Sequence, residues 1–211
     1  MKKKIKPVKY LELNGQQIFV GSLINAELVK LSNTFDDIIY DAPRYYSLIF
    51  NTKILNEIMR AYSNINNQLK NMIKKYENEE FEYLENWSDV MIDDIISLFT
   101  FIESIEERLS PEKYNLSRNK CYSKLHNCIS GSLVDLSTIL FDYLRIEEYQ
   151  ESDRSKFHPF SQIHISVAND YTGDIDVIPH RSGFYDMLNN KIIKKEIVSI
   201  RQADNLSNNS I

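Results

Sequence analysis

The chain holds 211 residues in 24.8 kDa, enough for one domain with a real core, or one domain plus appendages, and too little for two full-sized domains. With 43% apolar and 26% charged residues and only 5 Gly and 5 Pro, its composition is that of a packed globular protein and excludes wholesale disorder or a collagenous chain. A net charge of -5 argues against a protein held to nucleic acid by bulk charge, leaving local basic runs such as Lys2-Lys3-Lys4 and Lys191-Lys194-Lys195 as places that attract phosphate.

At the N-terminus, Met1-Lys2-Lys3-Lys4 is followed by Pro7 and Lys9 rather than by an apolar signal core, and no later run reaches the roughly 18 apolar residues of a membrane span. The expectation is a cytoplasmic protein that does not enter the membrane. The bias to 27 Ile, 20 Asn and 17 Lys reflects an AT-rich coding source and carries no functional information. Val8 to Leu13 and Gln16 to Val20 flank Asn14-Gly15, the dipeptide that accepts positive φ at both central positions of a tight turn, and so predict a hairpin.

The period then becomes helical. Ile24, Leu28, Leu31, Phe35 and Ile38 mark a first helix that ends before Pro43. Leu55, Ile58, Tyr62, Ile65, Leu69, Met72 and Tyr76 mark a second, over roughly 44–77. Its faultless heptad is longer than a small bundle needs, so part of it is expected to pair with another chain. Trp87, Met91, Ile95, Leu98, Ile102, Ile105 and Leu109 form a third stripe, ending at Ser110-Pro111. Tyr122, Leu125, Ile129, Leu133, Leu136, Leu140 and Tyr143 form a fourth, with Ser117 or Ser123 as its cap.

Beyond Glu148 the pattern breaks down. Ile163, Ile165 and Val167, then Ile175 and Val177, alternate with polar residues in strand fashion, and a third strand is expected between Ile192 and Ile200. Four single-striped helices bury their stripes most simply against one another. The fold class is therefore α-dominated α+β: an antiparallel four-helix bundle with the N-terminal β-hairpin and a small C-terminal β element. The chain is divided into 1–149 (hairpin and bundle), 150–160 (linker), 161–201 (β appendage) and 202–211 (polar tail).

No phosphate-cradling Gly-rich loop, His-Glu-x-x-His helix, Cys-x-x-Cys pair or nucleophile elbow is present. Their absence points away from the common enzyme classes, and no cofactor is expected. On one helix Cys121 and Cys128 stand about 10 Å apart along the axis, too far for a disulfide, and His126 lies about 140° around the axis from Cys121, which disfavours a zinc site.

Arg118-Asn119, followed by His126 at the opening of the fourth helix, resembles the Arg-Asn-x-x-x-x-His region of the HEPN family, helical-bundle domains frequent in bacterial defence and toxin systems. The resemblance implies a metal-independent ribonuclease with Arg118 and His126 as the catalytic pair, Asn119 as their support and RNA as substrate, assembled across a dimer. Seven residues separate Arg118 from His126, where the family usually has four to six. On a continuous helix that places them about 80° and 12 Å apart.

His164-Ile165-Ser166 and His180-Arg181-Ser182 repeat a His-x-Ser triplet similar to that of two-histidine phosphoesterases, in which the triplets come from distant halves of a symmetric fold. Asp174, Asp176 and His180 supply ligand types for a divalent ion, and the polar face of a sheet explains them equally well. The run Glu77, Glu79, Glu80, Glu82 and Glu85 interleaves with Phe81, Tyr83 and Trp87, aromatics of the kind that anchor a protein partner. The function read from these features is a non-catalytic binding or regulatory protein acting through protein contacts, with a protein partner or a homodimer and a setting in bacterial or phage defence. The HEPN-like ribonuclease is the alternative.

Overall fold

The structure is a computed structural model, described here over residues 4–42, 44–45, 52–116, 118–165 and 175–202. Strands β1 (Tyr10–Leu13) and β2 (Gln16–Phe19) pair antiparallel with Leu13 opposite Gln16. Asn14 and Gly15 have φ of 53° and 77°, the left-handed geometry that a two-residue connection demands. The chain then enters helix α1 (Val20–Tyr40) directly. A Cβ at Gly21 would overlap the ring of Phe19. Its absence lets that ring lie across the helix start and meet Trp87 edge-on, with centroids 5.1 Å apart.

The chain divides after Arg145 into two compact units. In the first, α1 is followed by α2 (Thr52–Tyr76), the short α3 (Glu79–Tyr83), α4 (Trp87–Arg108) and α5 (Lys120–Leu144). The second and third stripes are buried throughout; in the first, Ile38 is half-buried, and in the fourth Leu133 and Tyr143 are, where Ile139 and Leu144 complete the core. The α2 stripe lies wholly within the chain, each member no more than 8% exposed. It leaves no seam for a second chain, and the argument for a homodimer drawn from its length falls. Of the 44–51 stretch assigned to the second helix, only Arg44 and Tyr45 are described.

Polar contacts set how the helices pair. Ser32 Oγ donates to Asn66 Oδ1 (2.6 Å), Asn66 Nδ2 to Asp36 Oδ1 (2.6 Å) and Lys70 Nζ to the same oxygen (2.8 Å), tying α1 to α2. The Tyr122 hydroxyl donates to the Leu109 carbonyl (2.7 Å), and one helical turn further along α5 His126 meets the Glu106 carbonyl. Positions on α4 thus fall as those on α5 rise, so this pair runs antiparallel. The Tyr62 hydroxyl donates to the Leu125 carbonyl, joining α2 to α5.

The second unit begins with β3 (Ile146–Tyr149), followed by β4 (Gln162–His164), β5 (Ile175–Arg181), β6 (Gly183–Asp186), β7 (Lys191–Lys194) and β8 (Glu196–Gln202). There are more strands than the sequence pattern predicts, and they form two sheets, β3-β6-β7 and β4-β8-β5, separate from the N-terminal pair. The pairing of β5 and β6 with β8 and β7 is that of one long hairpin closed at residues 187–190. An extra residue on the second arm, Ile193, is compensated by an extra one on the first, His180. The expected third strand is therefore two, interrupted at Lys195. Residues 150–160, expected as a linker, lie within this unit, where the Arg154 carbonyl accepts from the Val177 amide at 2.7 Å.

Strand alternation also resolves against expectation. Gln162 is buried at 1% exposure, while Ile163 and Ile165 are 51% and 58% exposed. The reason is a polar interior: Gln162 Nε2 donates to the buried Glu196 carboxylate at 2.8 Å. A buried amide with a charged partner satisfies its hydrogen bonds where an isoleucine would leave the carboxylate bare.

Candidate functional site

The residues that carry the HEPN resemblance sit at the entrance to α5. Asn119, rather than Ser117 or Ser123, caps the helix: its side-chain oxygen accepts from the amides of Cys121 (3.0 Å) and Tyr122 (3.1 Å). Ser117 is outside the described residues. Arg118 is exposed in the turn just before the cap. His126 is half-buried, with Nε2 3.3 Å from the Glu106 carbonyl, and Ser130 Oγ donates to the Glu106 carboxylate at 2.8 Å. Among the described residues no hydrogen bond or ion pair joins Arg118 to His126. Asn119 acts on the backbone of its own helix, and His126 on α4.

Cys121 and Cys128 are free thiols. Burial pushes the pKa of both up, which keeps them protonated at neutral pH and poor as nucleophiles or metal ligands. Among the described residues no three His, Cys, Asp or Glu side chains are placed to hold a metal ion. Asp174 lies outside the described residues. Asp176 Oδ2 accepts from Arg201 Nε (3.2 Å), His180 Nε2 is 2.9 Å from Ser199 Oγ, and His164 Nε2 accepts from the Ile200 amide (3.2 Å). All three engage β8, and these bonds hold the sheet together.

The acidic segment separates its aromatics. Phe81 packs on Tyr76 with centroids 4.8 Å apart, Trp87 packs on Phe19, and both are 3% exposed. They belong to the core of the first unit. Tyr83, by contrast, is 80% exposed and Leu84 40%. The N-terminal segment is fastened beside them by Lys4 Nζ to Asp89 Oδ1, Lys6 Nζ to the Glu85 carbonyl, and the Tyr10 hydroxyl to Glu82 Oε1 at 3.0 Å.

Sequence reasoning passed over the strand pair itself. Successive strand residues face opposite ways. Tyr10 and Phe19, directly opposed, share one face, which Phe19 seats on the helices while Tyr10 stays 39% exposed, so Leu11, Leu13 and Ile18 form the other. Leu11 is 38% exposed and Leu13 44%. Among the described residues no strand pairs with the outer edge of β1 either. Leu11 and Leu13 bond to β2 as the hydrogen-bonded pairs of a two-residue hairpin, leaving the amides and carbonyls of Tyr10 and Glu12 directed away from the ladder. The alternation Leu11, Leu13 was visible in the sequence; which face the helices would cover was not.

Comparison with protein-family models, with curated proteins and with solved structures finds no match to this chain. Among the described residues no helix is long and apolar enough to cross a membrane.

Proposed function

We propose that this protein is a non-catalytic binding protein acting through protein contacts. In this reading α1, α2, α4 and α5 form an antiparallel four-helix bundle as scaffold, and the N-terminal strand pair is a contact surface. One observation carries it: a two-stranded ribbon fixed to the helices on its Tyr10–Phe19 face presents Leu11, Leu13 and an open β1 edge on the other. Two strands alone are marginal in water, and an uncovered apolar ribbon edge is a template for another chain. Tyr83 and Leu84 add a separate exposed apolar spot near Tyr10, on the side of the ribbon away from Leu11 and Leu13, next to a cavity of 290 Å³ bounded by Lys6, Pro7, Lys9 and Trp87.

The test is affinity capture by the full chain and by Leu11→Glu/Leu13→Glu, with circular dichroism on both. A partner retained by the first and lost by the second at unchanged folding supports the assignment; equal capture rejects it. The ribonuclease alternative is tested in parallel. Metal-independent RNA cleavage that disappears in both Arg118→Ala and His126→Ala would replace the binding reading. The cap role of Asn119 and the contact of His126 with α4 lead us to expect no cleavage.

A further inference from the structure

Helices α1 and α5 leave a groove along their seam. Two cavities, of 430 and 510 Å³, lie end to end there and share Thr34. On α5, five of the nine residues lining them, Lys124, Cys128, Asp135, Thr138 and Asp142, form a stripe along one side of the helix. Gly131 falls in the middle of that stripe, within about 20° of Lys124 and Asp142 around the axis.

The centre of the groove is made of small groups. The Thr34 hydroxyl bonds back to the Lys30 carbonyl (3.2 Å) and that of Thr138 to the Val134 carbonyl (2.9 Å), so both are already satisfied within their own helices. Gly131 is exposed inside a 25-residue helix, and a Cβ built on it meets nothing within 4 Å. Among the described residues nothing requires a glycine there, although glycine is the poorest non-proline residue for a helix interior. Close approach of another backbone does require one.

The rim is acidic. Glu27, Asp37, Asp41, Asp135 and Asp142 line the groove against Lys30 and Lys124, and Lys30 is already bonded to Glu27. Asp37, Asp41, Asp135 and Asp142 take part in no ion pair among the described residues. From Leu125 to Leu144 the helix carries no Lys or Arg. The floor, with Leu31, Ile38, Leu125 and Ile139, is apolar. Glu27 to Asp41 spans about 21 Å, the length of a helix of about four turns.

We propose that this groove binds an amphipathic helix of a partner protein, its apolar stripe on the floor of Leu31, Ile38, Leu125 and Ile139, its backbone passing Thr34 and Gly131, and its Lys or Arg residues against the acidic rims. The proposal rests on the protein-contact reading and adds a second surface to it.

The probe is a synthetic helical peptide of about 15 residues with leucines on one face and lysines flanking them, titrated onto the full chain by fluorescence anisotropy. A scrambled peptide of the same composition and a version with glutamate for lysine serve as controls. The Leu/Lys helix is expected to bind more weakly as salt rises, and both controls to bind at least about tenfold more weakly. Gly131→Leu and Asp135→Lys/Asp142→Lys are each expected to weaken the Leu/Lys peptide by about tenfold at a melting temperature no lower than that of the unmodified chain. Binding equal to the unmodified chain in both variants overturns the proposal. A photo-crosslinking residue at Lys30, compared with one at Leu11, then separates the two readings in cells. Salt-sensitive crosslinks to another protein from Lys30 support the groove. Crosslinks from Lys30 to a second copy of this chain overturn it, crosslinks from Leu11 alone overturn it while leaving the protein-contact reading intact, and crosslinks from neither remove both.

Discussion

Glu196, fully buried at the first position of β8, accepts a hydrogen bond of 2.7 Å from the guanidinium of Arg154, 42 residues earlier in the chain. Its second oxygen accepts from Gln162 Nε2, and the Glu151 amide points at it from 3.3 Å. Glu196 follows directly on the break between β7 and β8, and the pair has no access to water on the Glu196 side.

Breaking that pair strands a buried charge. Arg154→Ala is expected to destabilise the second unit by about 3–5 kcal/mol, the range for removing one partner of a buried ion pair. Urea unfolding followed by a probe in the second unit measures it, and a change below about 1 kcal/mol would show that the carboxylate finds other solvation.

The four stripes make a simpler demand. Leu98 and Leu136 are 1% and 0% exposed, so truncating either to alanine leaves a cavity and is expected to destabilise the first unit by about 2–5 kcal/mol. Equilibrium denaturation of each variant checks this.

Two glycines should respond oppositely to the same substitution. At Gly131 the added methyl has open space, so Gly131→Ala is expected to stabilise the first unit by about 0.5–1 kcal/mol. At Gly183 a Cβ would overlap the Tyr149 ring. That ring cannot swing away without surrendering the bond from its hydroxyl to the Ser161 carbonyl (2.7 Å). Gly183→Ala is expected to destabilise by about 1–3 kcal/mol. Melting curves of the two variants that shift in the same direction would contradict this contrast.

Alkaline pH should unfold the first unit through its buried phenols. Burial raises Tyr62, Tyr76 and Tyr122 above the ordinary 10.0, Tyr122 to about 12. A pKa raised on folding means stability that is full below about pH 10 and lost as pH climbs towards the folded value, because only the unfolded chain releases those protons readily. In a near-ultraviolet titration these tyrosines should ionise together with loss of helical dichroism. Ionisation of all tyrosines near pH 10 with the helices intact would refute it.

The sequence by itself determined the elements whose signal is local. Asn14-Gly15 specifies a turn whatever surrounds it, and the stripes of α1, α2, α4 and α5 follow a 3.6-residue period that any helix must display to have an inside. Tertiary structure alone decided the rest, because burial depends on residues far away in the chain. Phe81 and Tyr83 sit two positions apart in the same acidic segment, yet Tyr76 covers one and nothing covers the other. Gln162 turns inward and Ile163 outward because Glu196 arrives 34 residues later carrying a charge to be satisfied. Asn119, which the HEPN resemblance implies as the support of the Arg118 and His126 pair, is the cap of α5, since the start of that helix is set by which side chain reaches the free amides. The surfaces on which the functional reading rests, the outward face of Leu11 and Leu13 and the groove between α1 and α5 around Thr34, are defined by what the rest of the chain leaves uncovered, and no local pattern encodes that.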